Sequence, residues 1–97
     1  MQSKIVPALH NVMIESGLFN TNDIKSRAYP AHHFAVGEKG TSGSFAHAWI
    51  YLLEGRTLEQ KIALTKAIKN ALKTHLTQID QLSVDIRDMA RDTYQKR

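Results

Sequence analysis

From Thr57 to about Gln78, Leu64, Ile68, Ala71, Leu72, His75, Leu76 and Ile79 recur at three- and four-residue steps. Glu59, Asn70, Thr74 and Thr77 fall on the other side. That spacing predicts an amphipathic helix that buries one stripe. Thr57-x-x-Gln60 supplies a capping box for its first turn. Lys61 falls in the stripe, so its charge must snorkel to water or face a neighbouring subunit. In front of the helix, Phe45, His47, Trp49, Tyr51 and Leu53 alternate with Ala46, Ala48, Ile50 and Leu52. Neither set is polar, which predicts a strand covered on both faces. Behind it, Leu82, Val84 and Ile86 repeat with period two over Leu82–Met89, a strand with one dry and one wet face. Strand, helix and strand with short connections predict a parallel βαβ unit.

The first half reads as a second such unit without its leading strand. Ile5, Leu9, Val12 and Met13 have helical spacing, Gly17 is a left-handed stop, and Pro7 predicts that regular helix starts near it. Asn20–Asp23 is a turn, and Ile24–Tyr29 alternates as a strand with Lys25, Arg27 and Tyr29 on one face. Residues 30–44, with three Gly, one Pro and two Ser, form a long irregular connection. The expectation is one domain over residues 1–97 of α/β (α+β) class, with two helices on one face of a small mixed sheet of three strands.

Composition narrows the function classes. The chain has 97 residues, 42% hydrophobic and 23% charged, which excludes disorder and low complexity. No apolar run spans a bilayer and the first residues lack a secretory pattern, so a cytoplasmic location without membrane contact is expected. The absence of cysteine removes disulfides, thiol chemistry and sulfur-ligated zinc. Thirteen basic against nine acidic residues give a net charge of +4. Lys61, Lys66, Lys69 and Lys73 follow an ordinary helix edge without interleaved aromatics, the pattern of a solvated face rather than a nucleic-acid interface. His32 and His33 are adjacent with no third ligand placed by sequence, so no metal is expected there. His10, His47 and His75 read as hydrogen-bonded packing histidines.

Gly17-Leu-Phe, Ile24-Lys-Ser-Arg27, Phe45-Ala-His47, Gly55-Arg56-Thr-Leu-Glu and Ser83-Val-Asp-Ile-Arg-Asp-Met follow one another over nearly the whole chain. Together they resemble the tautomerase superfamily and, within it, 5-carboxymethyl-2-hydroxymuconate isomerase. The resemblance implies βαβ–βαβ subunits assembled as a homotrimer, with no metal or organic cofactor. An N-terminal proline amine would move a proton between carbons of an unsaturated carboxylic acid produced in the degradation of aromatic compounds such as homoprotocatechuate. Arginines would hold the substrate's carboxylates and developing enolate, a role suited to a planar guanidinium fork. Arg56 matches one such arginine. Lys25 stands where the isomerase has another, and supplies charge without the fork; Arg27 also matches the motif. The chain opens Met1-Gln-Ser-Lys inside the first helix, and the nitrogen of Pro7 is an amide without a basic lone pair. Either a strand and connection of about 20 residues belong ahead of it, or the protein is a proline-less relative. The first makes it an isomerase, the second a catalytically inactive tautomerase-fold binding or assembly protein.

Overall fold

The computed structural model describes residues 2–97, the side chains from Lys4 onward. Two helices and two strands are formed: α1 (Gln2–Glu15), β1 (Phe45–Leu53), α2 (Leu58–His75) and β2 (Gln81–Met89). The strands pair in parallel, with Phe45 opposite Gln81 and Leu53 opposite Met89. Parallel neighbours cannot be joined by a tight turn, and α2 is the crossover that this pairing requires.

The capping box of α2 is present in full. The Thr57 hydroxyl accepts from the Gln60 N–H at 3.1 Å, and the Gln60 side chain accepts from the Thr57 N–H at 2.8 Å. Leu64, Ile68, Leu72 and Leu76 are buried as the stripe requires. His75, assigned to the stripe by spacing, is instead exposed at the last turn of the helix. The core joins this stripe to Ile5 of α1 and to Ile50 and Leu52 of β1, with Ala46, Ala48, Leu82, Val84 and Ile86 packed against it. One face of the sheet is therefore dry, and both helices contribute to the layer on it.

The other face is open in the single chain. Trp49 and Tyr51 are each 61% exposed and Phe45 is 45% exposed. The expectation that both faces of this strand are covered thus holds only for the even-numbered side of β1. On the open side His47 Nδ1 lies 2.5 Å from Ser83 Oγ, and the Trp49 ring meets the imidazole edge-on.

Three expectations are corrected. Regular helix does not wait for Pro7, which lies within α1. Past the first turn its missing N–H costs one intrahelical bond and its ring crowds the carbonyl four residues back, a cost offset by the packing of Ile5, Leu9, Val12 and Met13 against the core. Ile24–Tyr29 is not a strand, and the described sheet has two parallel strands rather than three in mixed order. The segment alternates as predicted, with Ile24 and Ser26 turned inward and Lys25 and Arg27 outward. Without a neighbouring ladder, however, alternation yields only an extended chain. Lys61, the charge within the stripe, carries its ammonium out to the half-exposed Asp88 carboxylate at the end of β2 at 3.1 Å.

The connection over residues 30–44 gains order toward its end. Val36 and Gly40 bridge through two backbone hydrogen bonds of 2.9 and 3.0 Å around a short 3-10 turn, Gly37–Lys39. Gly43 packs on Val36 so closely that an added Cβ would stand 2.6 Å from the Val36 Cβ. A reciprocal clip then fixes the start of both strands. The Asp80 carboxylate accepts from Lys39 Nζ at 2.9 Å and from the Ser44 N–H at 3.0 Å, and the Asp80 N–H donates to Ser44 Oγ at 2.8 Å.

This clip carries a pH prediction. The hydrogen bond from Lys39, then that from the Ser44 backbone, hold the Asp80 carboxyl below its ordinary value of 3.8. A carboxyl lowered by folding adds stability above its unfolded value and loses it as pH falls through its folded one. Amide protection at Ser44 and Gln81 is therefore expected to drop on acidification below about pH 4. Asp80→Asn should remove that acid-dependent step, as read by hydrogen exchange against pH.

Candidate anion-binding site

Arg56 follows the Glu54–Gly55 turn between β1 and α2, where Gly55 takes φ +121°, a conformation that favours glycine. Its guanidinium is half-buried and fixed from two sides. Nη1 donates to the Leu53 carbonyl at 3.0 Å and Nη2 to the Leu18 carbonyl at 2.8 Å. The Phe19 ring lies 4.9 Å from its central carbon, within cation–π range. Two of the five N–H donors are thus engaged, and no carboxylate among the described residues forms an ion pair with it. By contrast Lys39, Lys61, Arg87 and Lys96 each have an acidic partner. A half-buried cation held by carbonyls and an aromatic face, with no internal counter-charge, is equipped to take an external anion.

The other two predicted site residues lie on the extended segment that follows the turn at Thr21–Asp23. Both are exposed. Lys25 Nζ donates to the Asp23 carbonyl at 3.2 Å, and the Arg27 guanidinium lies over the Tyr29 ring at 5.6 Å. Neither has a carboxylate ion-pair partner among the described residues. Between them, Ser26 Oγ lies 2.7 Å from His10 Nδ1 of α1, which pins the segment and keeps both cations facing outward. His10 and His47 thereby prove to be hydrogen-bonded, as their apolar spacing suggested.

No contact joins Arg56 directly to Lys25 or Arg27 in the isolated chain. Their link runs through the chain itself: Leu18 and Phe19 hold Arg56, and the turn that follows leads into Lys25. Leu18 and Phe19 are the part of the site that residue-type reasoning passed over, since a carbonyl and an apolar ring carry no chemical signature. Grooves open on the surface of the described residues. One lies between α1 and α2, lined by Val12, Leu18, Gln60, Ala63 and Ala67 among others. Another runs beside Leu58, Ile62 and Asp85. Arg56 lines neither. Among the described residues no cluster of His, Asp and Glu is placed to hold a metal ion, and no helix is long and apolar enough to cross a membrane.

A profile of the 5-carboxymethyl-2-hydroxymuconate isomerase family matches residues 2–97. The chain belongs to this family. Its members are tautomerase-superfamily proteins, so an isomerase or tautomerase type of function holds at family level. No curated protein matches the sequence. Among solved structures, the fold is similar to a malonate semialdehyde decarboxylase determined in wild-type, mutant and inactivated forms. That match has a TM-score of 0.58 and 19% identity, over 94% of this chain and 75% of the other. It is also similar to FG41 malonate semialdehyde decarboxylase inhibited by 3-bromopropiolate, with a TM-score of 0.55 and 19% identity over 97% and 76% of the two chains. At that identity the likeness speaks for the fold alone, which is the tautomerase fold. The strand and terminal proline expected ahead of α1 lie outside the described residues. Arg56, Lys25 and Arg27, the three cations expected at the site from the sequence, are each without a carboxylate ion-pair partner among the described residues.

Proposed function

We propose that this protein is the carboxylate-holding scaffold of a tautomerase that shifts a proton between carbons of an unsaturated, muconate-type acid in aromatic-compound degradation. Arg56 grips a carboxylate or the enolate oxygen, while Lys25 and Arg27 orient a second anionic group. The observation that carries this reading is the fixed, half-buried Arg56 guanidinium, whose described partners are two main-chain carbonyls and a ring face. Fixed donors that need no reorganisation stabilise charge as it develops on the oxygen of a dienolate. The base is a terminal proline amine supplied ahead of Gln2, since an α-amino group titrates near about 8 and becomes a competent neutral base when its surroundings lower that value. The nitrogen of Pro7 is an internal tertiary amide and takes no part.

The assembly belongs to the same reading. Phe45, Trp49 and Tyr51 lie on one open sheet face, and further copies of the chain cover it in the homotrimer that the family resemblance implies, in the cytoplasm. The direct test is the ketonisation of phenylenolpyruvate, followed by loss of the enol absorbance. A polypeptide carrying a proline-headed strand in front of Gln2 should turn over, and residues 1–97 alone should be slower by about a hundredfold or more, the usual worth of a general base. Equal rates for the two would refute the proline assignment. Carboxylate binding without turnover in either form would favour the binding-module reading.

A further inference from the structure

The segment after β2 connects the two parts of the chain that carry the candidate cations. Near its beginning, the Arg91 N–H donates to the Glu54 carboxylate at 2.8 Å and Arg91 Nε to the Glu54 carbonyl at 3.2 Å. Glu54 stands two residues before Arg56. A 3-10 turn, Arg91–Thr93, and a half-buried Tyr94 follow. Lys96 Nζ then reaches the Asp23 carboxylate at 2.8 Å, and Asp23 stands two residues before Lys25. A single short stretch is therefore tied at one end to the Arg56 turn and at the other to the Lys25 turn.

Asp23 has a second relation to this site. Lys25 Nζ already bonds the Asp23 carbonyl, so its ammonium is held beside the Asp23 side chain. The hydrogen bond from Lys96, ahead of the charge effects of Lys96 and Lys25, keeps the Asp23 carboxyl below its ordinary value. An unpartnered Asp23 carboxylate would compete with any incoming anion for the Lys25 ammonium. Lys96 occupies that carboxylate.

We infer that Arg91–Lys96 is a strap that delivers Lys96 to Asp23, and that Lys96 is a positioning residue which, by engaging the Asp23 carboxylate, leaves Lys25 available to a substrate carboxylate. This rests on the reading of Arg56 and Lys25 as carboxylate holders. It assigns Lys25 a neighbour that neutralises the carboxylate next to it.

Affinity for cis,cis-muconate, a dicarboxylate probe, measured by titration calorimetry in the full chain, tests it. Lys96→Met should weaken binding by about two- to fivefold, the scale of one exposed ion pair. Lys96→Arg should retain the wild-type affinity. The double variant Lys96→Met with Asp23→Asn should regain it, because the competing carboxylate is gone; a purely structural role for the pair would leave the double variant as weak as the single. Wild-type binding that is indifferent to Lys96→Met, or a double variant without recovery, would overturn the strap while the site itself stood. No wild-type binding at all would overturn the carboxylate-holding reading, and the strap with it.

Discussion

Arg56→Ala should weaken muconate binding by about ten- to a hundredfold, because hydrogen bonds to a charged group contribute about 1.5–3 kcal/mol. The same change removes the donors of the half-buried Leu53 and Leu18 carbonyls and the cation on the Phe19 face. A stability loss of about 1–3 kcal/mol should accompany it. Arg56→Lys separates the two contributions. An ammonium keeps the charge but cannot bond two carbonyls on opposite sides and still present a planar fork. It should therefore recover part of the affinity and little of the stability. Calorimetric titration and urea unfolding measure the two quantities on the same samples. A loss of stability with unchanged affinity would make Arg56 a purely architectural residue.

The second large effect belongs to the core. Ile68 is 2% exposed, at the centre of the buried α2 stripe. Ile68→Ala should cost about 2–5 kcal/mol, through lost transfer free energy and the cavity left behind, whereas Ile68→Val should cost about 0.5–1.5 kcal/mol. At a fixed protein concentration, both should appear as lower urea midpoints with an unchanged slope. The consequence reaches the site: α2 begins two residues after Arg56, so a loosened α2 also loosens the Glu54–Gly55 turn. If Ile68→Ala proved neutral, the stripe could not be what holds α2 on the sheet.

The parts of this fold that were readable beforehand are those whose signal is local. The α2 stripe repeats within a few residues, its capping box is a four-residue motif, and the alternation of β2 needs no partner to be seen. Ile24–Tyr29 shows where this stops. Its alternation is real, but a strand exists only when a second backbone accepts its hydrogen bonds, and the described residues offer none. Pro7 shows the same limit: its local cost is plain in the sequence, whereas the tertiary packing of Ile5, Leu9, Val12 and Met13 that outweighs it is not.

The site was legible in its charges and illegible in its supports. Arg56, Lys25 and Arg27 stood out by family motif and residue type. The Leu18 carbonyl, the Phe19 ring and the Asp23–Lys96 pair did not, because each acts through a contact between residues far apart in the chain, 73 positions in the last case. Trp49 and Tyr51 lie between these extremes. Their alternation predicted a covered face, and one chain alone leaves that face open, so the open face supports the proposal that further copies cover it.

The central claim is that a carboxylate sits against Arg56 and the Lys25 segment. Nitrogen-15 NMR of the whole chain during titration with cis,cis-muconate tests it most directly. Saturable shifts should concentrate at the Arg56 guanidinium, at the Leu18 and Phe19 amides and across Ile24–Arg27, and in Arg56→Ala the backbone shifts should saturate only at about ten- to a hundredfold higher muconate. Shifts confined to the groove between α1 and α2, around Val12 and Ala67, or shifts that saturate at the wild-type concentration in Arg56→Ala, would contradict it.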